Sequence, residues 1–104
     1  MITEYGIDAK SNYEIISELG IRFREYRIFC GLTQKEVAEK SGVSIFSISQ
    51  FEKGKARNIG FGTFLSLLRS IGFLGEAEKL LPALPALPSQ LKSHNKKERV
   101  RHER

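Results

Sequence analysis

The chain has 104 residues and a formal net charge of +5, from 17 Lys and Arg against 12 Asp and Glu. This length supports one small hydrophobic core but not two. One cysteine and two histidines exclude an internal disulfide and give too few ligands for zinc, so we expect neither metal nor cofactor. Neither a long apolar run nor a basic-then-apolar leader at Met1 is present. We therefore expect no membrane span and a cytoplasmic protein.

The first part of the chain predicts one long helix. Residues 1–10 lack periodicity, and we expect a flexible start there. Ser11 and Glu14 have the spacing of a capping box, in which each side chain binds the other's backbone amide. The apolar residues that follow recur at near-helical spacing: Ile15, Leu19, Phe23 and Tyr26. A helix from about Asn12 to Phe29 follows from this pattern, and we expect Cys30 after it to be a small buried residue.

A second, short helix begins after Gly31 and Leu32. Thr33 and Glu36 form another capping-box pair, so the helix should start at Gln34. Val37 and Ala38 would face inward, and the small Ala38 would let another helix cross close by. Gly42 should end the helix in the left-handed conformation.

A third helix must then begin almost at once. Val43 would fill the corner between the two helices, and Ser44 is its N-cap candidate. Ile48 and Phe51 lie three residues apart and define an inner face. The remaining residues should point mostly outward: Ser44, Ile45, Phe46, Ser47, Ser49 and Gln50. Two short helices with so tight a turn have the spacing of a helix-turn-helix, whose second helix can enter a DNA major groove.

The rest of the chain divides into a helical part and a tail. A fourth apolar face ends at Gly72 and comprises Phe61, Phe64, Leu65, Leu68 and Ile71. A short fifth helix should run from about Gly75 to Leu81. Sustained period-two alternation is absent, which predicts an all-α fold. We expect a folded domain over residues 11–81 and a tail over residues 82–104.

The tail opens with the three-residue repeat LPALPALPSQL. This spacing favours a polyproline II helix with one leucine edge. The segment is either a semi-rigid spacer or an arm that packs on the domain, on a dimer partner or on a cognate toxin. Residues 92–104 hold six Lys and Arg against two Glu, so we expect them to be disordered without DNA. They either follow the phosphate backbone or only increase solubility.

Several of these residues together resemble the XRE family, the lambda-repressor-like helix-turn-helix regulators. The resemblance is carried by Gly31-Leu32-Thr33-Gln34, Val37-Ala38, Gly42-Val43-Ser44, Ile48-Ser49, Glu52 and Gly54. It implies a compact five-helix DNA-binding domain. Residues before and after the motif are similar to a bacterial subgroup of HipB-like antitoxins, which implies a HipA-like kinase toxin as a possible partner.

The resemblance also implies roles for three residues. Gln34 would bind a DNA phosphate at the start of its helix and support the recognition helix. Arg27 would pair with Glu52 and fix the first helix to the third. We therefore interpret Arg27 and Glu52 as structural support, not as base-reading residues.

Base reading should fall to Ser44, Ile45, Phe46, Ser49 and Gln50. Gln50 can form paired hydrogen bonds with adenine, and Ile45 and Phe46 can contact thymine methyl groups, which predicts A and T steps in each half-site. Many relatives have polar residues at positions 45 and 46. Three explanations of this apolar pair compete: methyl readout, a tilted helix that buries Phe46, or a surface adapted to a protein partner.

Three cations lie just beyond the predicted recognition helix. Lys53, Lys55 and Arg57 are well placed to meet phosphates beside the bases that it reads. One domain of this size makes too few contacts for selective binding, so we expect a homodimer on two half-sites. The apolar residues of the fourth and fifth helices, together with the leucine arm, are the candidate interface.

Three functions remain open from the sequence. A DNA-binding transcriptional repressor is the first, and an antitoxin that represses its own operon is its narrower form. The second is a protein-interaction module that has lost DNA binding. An enzyme is the weakest class, because no phosphate-binding glycine-rich loop is present and the serines have no neighbouring base.

Overall fold

The computed structural model describes residues 6–85, which form an all-helical domain without β-strands in that range. Four α-helices account for most of it: α1 (Asn12–Phe29), α2 (Gln34–Ser41), α3 (Ile45–Glu52) and α4 (Phe61–Ser70). Short 3₁₀ helices precede and follow them, at Ile7–Ala9 and Leu74–Lys79. The predicted basic tail and most of the leucine arm lie outside the described residues.

Local capping explains where the first two α-helices begin. Ser11 Oγ accepts the Glu14 amide at 3.1 Å, and Glu14 Oε1 accepts the Ser11 amide at 2.8 Å. Thr33 and Glu36 repeat the arrangement, with a return bond of 2.8 Å from the Thr33 amide to the Glu36 carboxylate. These bonds satisfy amides that a helix start leaves without partners. Both predicted capping boxes are confirmed.

The core lies where the four α-helices meet. Its buried apolar residues are Phe23, Val37, Ile48, Phe51, Leu67 and Ile71. The aromatic rings of Phe23 and Phe51 lie 5.9 Å apart between centroids, and Phe64 packs edge-on against Phe51 at 6.2 Å. Cys30 is only half-buried: its thiol donates to the Ile71 carbonyl at 3.5 Å, so it joins the end of α1 to the end of α4.

Helix α1 crosses α3 at very close range because residue 20 is glycine. A Cβ atom at Gly20 would lie 1.8 Å from the Phe51 carbonyl oxygen, well inside any van der Waals contact. Any larger residue would therefore force the two helices apart. The close contact therefore restricts the distance and the angle between α1 and α3.

Two details of the predicted fourth and fifth helices are wrong. Phe61 is 64% exposed, and Leu67 is the fully buried residue of α4 instead. Ile59, in the loop before α4, is partly buried and packs against the core. The fifth helix is 3₁₀ and ends at Lys79. Leu80 and Leu81 are exposed, so neither residue makes a core contact that would stabilise a longer helix.

Candidate nucleic-acid interface

Helices α2 and α3 are joined by a turn of three residues, and each residue stabilises the turn by a different interaction. Gly42 has φ +77°, a left-handed conformation in which its amide donates to the Ala38 carbonyl at 2.9 Å. Val43 packs against the core. Ser44 caps α3, and its Oγ accepts the Ser47 amide at 3.1 Å. Because each of the three residues is held by a hydrogen bond or by packing on the core, the orientation of α3 relative to α2 is fixed.

Helix α3 has one buried side and one exposed side. Ile48 and Phe51 are 0% and 2% exposed, as the sequence pattern predicts. On the other side, Ile45 is 47% exposed and Phe46 is 72% exposed. A tilted helix that buries Phe46 is therefore wrong as an explanation of the apolar pair.

The other residues expected to read bases surround this pair. Ser44 and Ser47 are exposed, whereas Ser49 and Gln50 are half-buried. The predicted reading residues thus share one side of α3, but Ser49 and Gln50 present only part of their side chains to solvent. Their partial burial follows from their position beside the buried Ile48 and Phe51.

The last residue of α3 is an acid that turns inward. Arg27 Nε donates to Glu52 Oε2 at 2.7 Å, and Arg27 Nη2 donates to Glu52 Oε1 at 2.8 Å. Arg27 Nη1 donates to the Leu32 carbonyl at 2.7 Å. These hydrogen bonds with Glu52 raise the pKa of Arg27 above its usual value despite burial, so the guanidinium stays charged.

Gln34 belongs to the same network. Its Nε2 donates to Glu52 Oε1 at 3.0 Å, and the side chain is half-buried. Gln34 at the start of α2 is therefore brought together with Arg27 and Glu52. The three side chains connect the end of α1, the start of α2 and the end of α3.

The three cations that follow α3 differ in their surroundings. Lys53 and Lys55 are exposed, and no ion pair within residues 6–85 includes either of them. Arg57 instead lies over the Tyr13 ring, with its guanidinium carbon 5.5 Å from the ring centroid. Two of the predicted phosphate ligands are thus unpaired within this range, and the third is stacked on α1.

Tyr13 is a residue that the sequence pattern did not identify. Its hydroxyl donates to the Gly54 carbonyl at 3.2 Å, directly after α3. Together with the Arg57 stack, this bond holds the Lys53–Arg57 loop against the first turn of α1. No local signal marks Tyr13, because the contact joins residues 41 positions apart.

The local electrostatics favour an anion. Glu52 is the only acidic residue between Gly42 and Gly60, and it is 3% exposed and paired with Arg27. Lys53 and Lys55 are therefore not balanced by any exposed carboxylate within that segment. The surface formed by α3 and the loop after it carries net positive charge at neutral pH.

A comparison with protein families agrees with this geometry. Residues 18–81 match the family model described as a helix-turn-helix domain. The chain belongs to this helix-turn-helix family. The match extends from within α1 to just past the last 3₁₀ helix, and it indicates a DNA-binding regulator. A search of curated proteins and a search of solved structures each found no match.

The helix-turn-helix domain also has a groove beside α3 that the sequence analysis missed. Its volume is about 250 Å³, and its lining includes Phe46, Ser47, Gln50, Asn58, Gly60 and Thr63. The loop before α4 and the first turn of α4 form the second wall. Polar side chains from that wall, Asn58 in the loop and Thr63 in α4, thus extend the outward surface of α3.

Two other properties concern the described part of the helix-turn-helix protein. Within residues 6–85, no three His, Cys, Asp or Glu side chains cluster closely enough to hold a metal ion. None of the helices in the same range combines the length and apolar character needed to cross a bilayer.

Proposed function

We propose that this protein is a sequence-specific transcriptional regulator that binds double-stranded DNA as a dimeric repressor. The observation that carries the proposal is the arrangement around α3. Its outward side is uncharged, its single acid is buried in the Arg27 pair, and it is followed by exposed lysines that form no ion pair within residues 6–85. Such a surface suits a polyanion whose base edges are read by short polar and apolar side chains.

The dimensions of α3 suit the major groove. With its side chains, a helix is about 10–12 Å in diameter, comparable with a groove about 12 Å wide, and the eight residues of α3 extend about 12 Å along its axis. The N-terminal residues of a recognition helix usually contact the bases. Ser44, Ile45 and Phe46 occupy that end here, while Ser49 and Gln50 lie one turn further along.

Phosphate contacts would set the register of the helix. Lys53 and Lys55 are available for this, and Arg57 would act from its place on Tyr13. Gln34 would bind a phosphate at the start of α2 while it stays bonded to Glu52. That shared bond supports a second role for Gln34, since it would link phosphate contact to the position of α3.

Dimerisation would let the protein read two half-sites about 34 Å apart. An apolar groove of about 260 Å³ is a candidate contact surface, and its lining includes Leu19, Tyr26, Phe64, Leu68 and Leu80. It lies between α1, α4 and the last 3₁₀ helix, so a partner there would leave α3 free. A Leu68→Glu variant should remain monomeric by light scattering and bind a half-site only weakly.

The finer assignments rest on the sequence alone. We infer a lambda-repressor-like member of the XRE group that acts in the cytoplasm. A HipA-like toxin partner is a narrower form of the same proposal, and it rests on the resemblance of the residues before and after the motif to HipB-like antitoxins.

The competing function is a protein-interaction module that has lost DNA binding. The exposure of Ile45 and Phe46 is its one supporting observation. The absence of an exposed acid between Gly42 and Gly60, together with Lys53 and Lys55, favours DNA.

Selection from a pool of randomised duplexes tests the proposal. We expect enrichment of a pseudo-palindrome with A·T pairs in each half-site. Gln50→Ala should relax the preference at one base pair, lowering discrimination there by about 1–3 kcal/mol. A selection without enrichment, accompanied by weak binding that depends only on salt, would contradict sequence-specific regulation.

A further inference from the structure

We propose that Ile45 and Phe46 form a reader of pyrimidine C5-methyl groups, so that the protein recognises 5-methylcytosine as well as thymine. This inference rests on the proposed DNA-binding function and names the chemical group that α3 would read. Cytosine and 5-methylcytosine have the same hydrogen-bonding groups, so a protein that recognised only those groups would not distinguish them.

The first step is the exposure of two large apolar side chains side by side. Ile45 and Phe46 are the first two residues of α3, 47% and 72% exposed. Covering an exposed apolar group with another apolar surface is favourable, because it removes the group from water. Burial of one methyl group is worth roughly 0.8 kcal/mol, or about four-fold in affinity.

The second step is that the surroundings of the pair limit what can cover it. The serines at positions 44 and 47 flank it, and Gln50 lines the groove next to Phe46. The lysines after α3 are exposed, while Glu52, the one acid of α3, is buried. An apolar contact inside a polar, positively charged surface fits a methyl group in the DNA major groove better than an extended apolar protein surface.

The third step concerns what an apolar side chain can distinguish. Ile45 and Phe46 have no side-chain donor or acceptor, so they cannot tell thymine O4 from cytosine N4. They can detect only the C5 methyl group, which projects into the major groove from the same ring position in thymine and in 5-methylcytosine. Methylation of cytosine at a contacted position should therefore strengthen binding.

The experiment starts from the best duplex found in the randomised selection. Each thymine is replaced in turn by uracil, which removes only the methyl group. Each T·A pair is separately replaced by C·G with unmodified cytosine or with 5-methylcytosine. Binding is measured for wild type, Ile45→Ala, Phe46→Ala and Phe29→Ala. Phe29 is the control because it is an aromatic residue that is 82% exposed at the end of α1, outside both α3 and the candidate dimer groove.

We expect uracil at one or two positions per half-site to weaken wild-type binding about four-fold. At the same positions, 5-methylcytosine should bind about four-fold better than cytosine. Both differences should disappear in Ile45→Ala or Phe46→Ala and persist in Phe29→Ala.

Specific binding that is equal for thymine and uracil at every position would overturn the methyl reader and leave the DNA-binding function intact. A methyl effect that survives in both alanine variants would also overturn it. If no duplex is enriched, the proposed function fails and the methyl reader fails with it.

Discussion

Arg27 and Glu52 meet in the interior through two hydrogen bonds, and the carboxylate accepts a third from Gln34. The pair removes the only acid of the α3 segment from the outward surface. It also makes the position of α3 depend on residues in α1 and α2. The same contact therefore serves both the packing of the domain and the charge of its candidate DNA surface.

Breaking this pair should strongly destabilise the domain. Arg27→Met or Glu52→Leu alone leaves a buried charge without its partner and should lower the free energy of unfolding by about 3–5 kcal/mol. The double variant should be less destabilised than the sum of the two, since neither charge remains. Urea unfolding of the three variants measures this coupling, and simple additivity would contradict it.

The contact between α1 and α3 predicts opposite effects for two glycine substitutions. Gly20→Ala places a methyl group against the Phe51 carbonyl and should cost about 2 kcal/mol or more. Gly62 lies in α4, where a Cβ atom would meet no neighbour within 4 Å among residues 6–85, so Gly62→Ala should stabilise by about 0.5–1 kcal/mol. Thermal unfolding measures the stability of both variants. Equal changes in stability would contradict the close crossing of α1 and α3.

The capping box of α2 should make the domain sensitive to acid. Hydrogen bonds from the Thr33 amide and hydroxyl lower the pKa of Glu36 below its usual value. The cap therefore contributes stability above that value, and the contribution is lost as the pH falls through the folded-state pKa.

Glu36→Gln tests this, because its amide oxygen can still accept the Thr33 amide but does not titrate in this range. The variant should lose less stability than wild type when unfolding is compared at neutral and acidic pH. An identical pH dependence in both proteins would show that Glu36 does not contribute.

The exposed lysines should determine the salt dependence of DNA binding. Lys55→Gln should weaken binding to all sequences alike and reduce the slope of log affinity against log salt by roughly one. Arg69→Gln is a matched control, since Arg69 is an exposed cation of α4. Fluorescence anisotropy at several salt concentrations distinguishes the two, and equal slopes would exclude a phosphate contact by Lys55.

Features set by neighbouring residues could be predicted from the sequence, whereas those set by distant contacts could not. The capping residues Ser11 and Thr33 and the turn at Gly42 act through bonds within a few residues, so a local pattern is sufficient. The burial of Leu67 in place of Phe61 depends on how α4 meets the core. Gly20 against Phe51 is likewise a contact between helices distant in sequence.

The same distinction holds for the candidate site. The exposed position of Phe46 follows from the helical period that buries Ile48 and Phe51. The bond from Tyr13 to Gly54 and the stacking of Arg57 on Tyr13 could not be read from any spacing. The groove wall formed by Asn58 and Thr63 likewise depends on the path of the loop before α4.

Amide chemical shifts of the labelled full-length protein, recorded with and without the selected duplex, test most directly whether α3 is the DNA-reading element. We predict the largest changes at residues 44–57 and at Gln34, with little change along the groove between α1 and α4. Changes confined to the basic residues after Leu91, or to that groove, would contradict recognition through α3.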